Sequence, residues 1–182
     1  TLYIVDASDG PAGIARALSS PESKLKQLPV YFDASNLEEF QMEATSADGT
    51  RIPYFIVRTK IKENEPAKPV PTLLYGYGGF EIPILPTYQA VTGLSWLETG
   101  GCYVVANIRG GGEFGPSWHQ AALKENRNKC YEDFISVAEH LVDTGITTPK
   151  QLAIRGGSNG GLLMGNMFVM RPDLFGAVSI VV

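Results

Sequence analysis

Ile154-Arg155-Gly156-Gly157-Ser158-Asn159-Gly160-Gly161-Leu162-Leu163 holds the pattern G-x-S-x-G at Gly156, Ser158 and Gly160. The apolar triplet Leu152-Ala153-Ile154 leads into it as a strand, and Leu162 to Met170 leads out of it as a helix. A serine in that context sits on a tight turn in a strained backbone conformation, its hydroxyl lifted above the sheet edge. Glycines permit the turn because a Cβ there would clash with the adjoining backbone. The N–H of Asn159, at the helix N-terminus, would point at the oxygen of a carbonyl attacked by Ser158. In outline this is an acyl-transfer site with Ser158 as nucleophile. The competing reading is a plain strand-to-helix connection.

Upstream of this turn, strands and helices alternate. Thr72-Leu73-Leu74-Tyr75 is a short buried-strand candidate, and a short helix is expected around Val91 to Glu98. Gly101 to Ile108 is a further strand. Phe134, Val137, Ala138 and Leu141 fall at i, i+3, i+4 and i+7 of a helix over Tyr131 to Asp143, which Gly145 ends. Cys130 is expected just before it. Ala177 to Val182 closes the series as an apolar run. Such alternation predicts an α/β domain, a largely parallel sheet with helices on its faces. Before it, Gln41 to Thr45 and Ile52 to Val57 flank Asp48-Gly49 as a β-hairpin. Residues 1–35 form a separate first region, with a short strand at Leu2, Ile4 and Val5 and a turn at Asp9-Gly10-Pro11; residues 36–182 form the main domain.

Two further glycine-rich runs follow strands. Tyr75-Gly76-Tyr77-Gly78-Gly79-Phe80 lies where a second oxyanion donor would be supplied, and a tyrosine hydroxyll at Tyr75 or Tyr77 can fill that role as well as a backbone N–H. Arg109-Gly110-Gly111-Gly112-Glu113-Phe114-Gly115 contains G-x-G-x-x-G, yet Pro116, Trp118 and His119 do not suggest a helix opening at the third glycine. Glu132 and Asp133 lie within a helix instead of at a strand end, so a dinucleotide fingerprint is not supported. No P-loop pattern occurs.

The 182 residues carry 15 Lys+Arg against 19 Asp+Glu, a net charge of −4, with the basic residues scattered; a nucleic-acid partner is not expected. No apolar run reaches the roughly 20 residues of a membrane span. The two cysteines, Cys102 and Cys130, form neither a disulfide framework nor a metal-ligand set, and no metal or organic cofactor is expected. Lone thiols point to a reducing, cytoplasmic compartment, although a lost export signal towards periplasm or exterior would leave no trace. The first residues, without an initiator Met or a signal pattern, read as the middle of a longer chain. His119 and His140 both precede Ser158, whereas this type of triad runs Ser, acid, His. His140 is expected on the solvent side of its helix or as a cap, and His119 in a loop or packing role.

Taken together, Tyr75 to Phe80, Ala106 to Glu113, Gly156 to Leu163 and Arg171-Pro172-Asp173-Leu174-Phe175 closely resemble the prolyl oligopeptidase family in order and spacing, over roughly Phe40 to Val182. The resemblance implies part of an α/β-hydrolase catalytic domain, capped in the family by a β-propeller that admits short peptides, with cleavage on the carboxyl side of proline. Ser158 matches the nucleophile, Asn159 the backbone oxyanion donor, Tyr77 the side-chain oxyanion donor, and Phe80 a residue lining the substrate pocket. The first 30 or so residues resemble the last propeller strands and the crossing into the hydrolase domain. The family's catalytic Asp and His would lie beyond Val182, so this chain is expected to be a fragment that is inactive alone and needs the rest of the catalytic domain and propeller. Other readings are a related oligopeptidase cutting after basic residues, a peptidase removing acylated N-terminal residues, and a non-catalytic hydrolase-like module.

Overall fold

A computed structural model of the protein describes residues 2–5, 10–27, 29–61, 64 and 66–182. The chain divides into two compact units, Thr1–Tyr31 and Phe32–Val182. In the first, β1 (Leu2–Tyr3) pairs antiparallel with β2 (Lys24–Lys26), and α1 (Gly10–Ser19) lies between them in sequence. That helix replaces the turn expected at Gly10-Pro11. Proline at the start of a helix has its fixed φ already suited and loses no hydrogen bond, so Gly-Pro fits a helix start as well as a turn. Asp9 of that expected turn lies outside the described residues, as do Lys62, Glu63 and Glu65 of the polar loop between the second and third strands of the main domain. Ile4 and Val5 fall just beyond β1.

The second unit is built on β3 (Leu37–Thr45), β4 (Arg51–Thr59), β5 (Thr72–Tyr75), α2 (Ala90–Thr92), β6 (Cys102–Ala106), α3 (Pro116–Gln120), α4 (Asn128–Asp143), β7 (Leu152–Gly157), α5 (Asn159–Met170) and β8 (Ala177–Val181). The strands form one six-stranded sheet in the order β3-β4-β6-β5-β7-β8. β3, β4 and β6 run antiparallel, whereas β6, β5, β7 and β8 are mutually parallel. The expected hairpin and the parallel strand–helix series are both present, as an α/β-hydrolase sheet. The helix expected at Val91 to Glu98 is instead a short α turn that widens into a π turn over Gly93–Leu97. Its widening brings Trp96 Nε1 to the Cys102 carbonyl at 2.8 Å.

The sheet alternates side chains between its faces with period two. Ile52, Tyr54, Ile56, Leu74, Val104, Leu152 and Ile154 are fully buried in one core with Phe134, Val137 and Leu141 of α4 and Leu163, Met164 and Met167 of α5. Cys102 and Cys130 are buried in the same core, and burial pushes their thiols up to about 11 and about 12. Cys130 lies inside α4, whose first turn starts earlier than its apolar periodicity suggests. Residues of the opposite phase, among them Phe55, Leu73, Tyr75, Tyr103, Val105 and Arg155, line an open trough of about 1300 Å³ on the other face. Burial there raises the Tyr103 phenol to about 12.

Candidate active site

Ser158 stands between β7 and α5 with φ +55° and ψ −117°, a left-handed conformation that a non-glycine residue adopts only when its surroundings force it. Three close backbone approaches do so. A Cβ at Gly156 would overlap the Gly160 carbonyl, one at Gly160 would lie 2.7 Å from the Gly76 carbonyl oxygen, and one at Gly161 would lie 2.5 Å from that of Val181. The Ser158 N–H donates to the Val181 carbonyl at 2.9 Å, tying the turn to β8. The side chain is exposed and makes no capping bond to α5, so its hydroxyl remains available for chemistry. α5 begins at Asn159, three residues earlier than the apolar run suggests, and the N–H of its first residue has no acceptor within the helix.

The second glycine-rich run reaches the same turn. Tyr77 follows β5, and its ring Cδ2 lies 3.7 Å from the position a Gly160 Cβ would take, so the ring covers the first turn of α5. The Asn159 carboxamide Nδ2 donates to the Tyr77 carbonyl at 2.5 Å. A Cβ at Gly79 would overlap that carboxamide, which explains the glycine. Tyr75, the other candidate, points into the trough on the far sheet face, and burial followed by the neighbouring Tyr77 raises its phenol pKa. Phe80 is 72% exposed, and both it and Glu81 have left-handed φ values, +55° and +56°.

The third run buttresses the second. A Cβ at Gly110 would overlap the Gly78 carbonyl, and one at Gly112 would overlap that of Glu81. The first two glycines of G-x-G-x-x-G are therefore filled by neighbouring backbone, whereas a Cβ at Gly115 would meet open space. A five-residue helix, α3, does open directly after Gly115, contrary to the sequence reading; Pro116 at its first position suits a helix start. Asn107 Nδ2 donates to the Ile84 carbonyl at 2.8 Å, and Glu113 Oε1 accepts the Ile84 N–H at 3.1 Å. Burial raises the Glu113 carboxyl pKa.

Among the described residues neither histidine is hydrogen-bonded to Ser158. His119 Nδ1 lies 2.6 Å from the Gly110 carbonyl oxygen and 3.1 Å from the Glu81 nitrogen. His140 is not the solvent-side or capping residue expected: half-buried, its Nδ1 meets the Tyr54 hydroxyl at 2.8 Å. The reason is that Tyr54 is fully buried and its hydroxyl needs a partner. Burial also pushes that phenol up to about 12. Among the described residues no group of three His, Cys, Asp or Glu side chains is placed to hold a metal, and no helix is long and apolar enough to cross a membrane.

Residues 88–182 match the Prolyl oligopeptidase family. The chain belongs to that family. Within it, an uncharacterized peptidase of Sinorhizobium fredii is 49% identical over 99% of this chain and 23% of its own length, and a prolyl endopeptidase of Elizabethkingia miricola is 43% identical over 87% of this chain and 22% of its own. The solved structure of a post-proline cleaving enzyme from Rickettsia typhi superposes with a TM-score of 0.81 at 44% identity, over 86% of this chain and 22% of that one. The chain thus spans about a quarter of the length of the curated relatives it matches.

Two features of this member of the prolyl oligopeptidase family are not apparent in the sequence. Arg109, directly after β6, pairs with Asp133 of α4 through Nε and Nη2 at 2.9 and 2.6 Å, and with Asp48 of the hairpin turn through Nη1 at 2.5 Å. Arg127, just before α4, donates from Nη1 to the Gly78 carbonyl at 2.6 Å and from Nη2 to Asn159 Oδ1 at 3.2 Å. The one usable signal was positional: Arg109 borders the strand read over Gly101 to Ile108, but the partners of both arginines lie far away in sequence.

Proposed function

We propose that the full-length protein is a serine peptidase that cleaves short peptides on the carboxyl side of proline through an acyl-enzyme. The observation that carries this reading is Ser158 held at φ +55° on the β7–α5 turn with its hydroxyl exposed and uncommitted. Membership of the prolyl oligopeptidase family and the names of the relatives support the proline preference. In the proposed reaction the Ser158 Oγ attacks the scissile carbonyl carbon while a histidine from the remainder of the full-length chain, itself oriented by an aspartate, takes the hydroxyl proton. The Tyr77 hydroxyl and the Asn159 N–H donate to the oxygen that becomes negative. Collapse of the tetrahedral species returns the proton to the departing amine, and water then releases the acyl group from Ser158. Phe80, exposed on its left-handed loop, supplies an apolar wall for the substrate. The remaining catalytic segment and a propeller cap belong to this reading, as does a cytoplasmic location.

The test is covalent labelling of the full-length protein with a fluorophosphonate. Labelling that disappears in Ser158→Ala supports the reading, and an unlabelled wild-type protein sinks it. Peptides cut after proline, and not after basic residues, support the specificity. If the Tyr77 hydroxyl donates to the oxyanion, Tyr77→Phe lowers kcat by about 10²-fold; an unchanged kcat removes Tyr77 from the mechanism.

A further inference from the structure

Three glycine-rich loops meet near the Ser158 turn, and one cation bonds to two of them and lies close to the third. Arg127 Nη1 donates to the Gly78 carbonyl, in the loop that carries Tyr77, at 2.6 Å. Its Nη2 donates to Asn159 Oδ1, on the residue whose N–H opens α5, at 3.2 Å. The same Nη1 lies 3.3 Å from the position a Gly110 Cβ would take, in the third loop. The Asn159 carboxamide completes the link by donating from Nδ2 to the Tyr77 carbonyl at 2.5 Å. The guanidinium itself lies over the Tyr131 ring of α4, 5.4 Å from the centroid, which anchors it to the helix.

From this arrangement we propose that Arg127, acting with the Asn159 side chain, is the positioning residue that holds the loop bearing Tyr77 in register with the first turn of α5. It rests on the acyl-transfer reading of Ser158. The physical reasoning is geometric. The two oxyanion donors sit on different loops, one after β5 and one after β7. A donor contributes only if it lies within hydrogen-bond reach of where the oxyanion forms. Backbone packs at Gly76 and Gly160, but among the described residues the hydrogen bond between the two loops runs through the Asn159 carboxamide, and the flat guanidinium braces that carboxamide from one side while holding the Gly78 carbonyl with its other nitrogen. The planar fork of arginine bridges two oxygens at a fixed angle, whereas the single ammonium of a lysine serves one at a time. Glycine at position 79 lets the carboxamide approach the loop this closely.

The experiment uses the full-length protein and compares rates of fluorophosphonate labelling at Ser158 in wild type, Arg127→Met, Arg127→Lys, Tyr77→Phe and the Arg127→Met/Tyr77→Phe double variant, with a thermal melt on each. Arg127→Met is expected to slow labelling by about 10- to 100-fold, the cost of misplacing a catalytic donor by an ångström or less. Arg127→Lys, which keeps the charge over Tyr131, falls between it and wild type. On the Tyr77→Phe background the same Arg127→Met change is expected to cost less than about threefold, since the donor it positions is already gone. A merely structural arginine would give the full loss on both backgrounds, and that additivity overturns the proposal. Labelling at the wild-type rate by a folded Arg127→Met also overturns it; should Arg127→Met not fold, a wild-type rate in Arg127→Lys does so instead. A wild-type protein that is never labelled takes the peptidase reading and this inference down together, whereas a labelled wild type with an insensitive Arg127 sinks the inference alone.

Discussion

Two arginines flank the sheet's helix-covered side, and their partners differ in kind. Arg109 is 4% exposed and meets carboxylates: Asp133, which is completely buried, and Asp48 on the hairpin turn. Its backbone N–H also donates to Asp133 at 3.0 Å, and Ser46 Oγ completes the set on Asp133 at 2.6 Å. Arg127 meets only a carbonyl, a carboxamide and a ring face among the described residues. The first arrangement cancels charge and joins the β3–β4 hairpin, the loop after β6 and α4 into one body. The second leaves a positive charge uncancelled beside the Ser158 turn. The neutralised arginine joins elements of the fold, whereas the other, on the proposed reading, holds loops in place where negative charge would develop.

The contrast breaks most visibly at Asp133. Asp133→Ala strands a buried guanidinium and is expected to cost about 3–5 kcal/mol in chemical denaturation of the full-length protein. A loss below about 1 kcal/mol would mean that Arg109 finds water or Asp48 alone sufficient. Replacing the pair together, Arg109→Met with Asp133→Leu, should restore most of that loss, because the desolvation of both charges is removed along with their attraction. Arg127→Met comes next: about 1–2 kcal/mol, since Asn159 is only half-buried and the buried Gly78 carbonyl keeps the Cys130 thiol as a partner at 3.5 Å. Equal losses at Arg109 and Arg127 would erase the distinction between them.

The smallest effect is one of pH. The Arg109 guanidinium beside Asp48 holds its carboxyl well below the ordinary value of 3.8, with Thr50 adding hydrogen bonds. A group with a depressed folded pKa stabilises fully above its unfolded value, and that stability is lost as pH falls from there towards the folded value. Thermal melts of the wild type should therefore decline below about pH 4 more steeply than those of Asp48→Asn, by less than about 1 kcal/mol because Asp48 is partly exposed. Parallel curves would show that the hairpin turn is held by Thr50 and Ser46 rather than by charge.

What the sequence made legible follows from the range of the interactions involved. Leu152 to Met170 could be read directly, because a strand, a glycine-rich turn and a helix each leave a local pattern, and the clashes that demand Gly156 and Gly160 arise where neighbouring elements cross. The hairpin around Asp48-Gly49 was legible for the same reason. The helix Gly10–Ser19 was not, since Gly-Pro opens turns and helices alike. Arg109 and Asp133 could not be paired in advance, because a charge has no local signature of its partner when a glycine-rich loop, α3 and the start of α4 separate them. The place of His140 was misjudged because helical spacing says which side a residue faces, not that a tyrosine hydroxyl waits there. The roles expected of Ser158 and Asn159 came from the G-x-S-x-G pattern and its flanking elements, whereas the choice of Tyr77 over Tyr75 and the role of Phe80 came from resemblance; the labelling and kinetic tests above bear on Ser158 and Tyr77.

The bond from the Ser158 amide to the Val181 carbonyl ties the conformation of the Ser158 turn to β8. The Ser158 amide should trade its proton for deuterium only when that bond opens, and its exchange rate becomes a direct gauge of how often the proposed nucleophile is out of position. A ligand or neighbouring segment that clasps β8 would slow that exchange and, without touching Ser158, lengthen the time it spends ready.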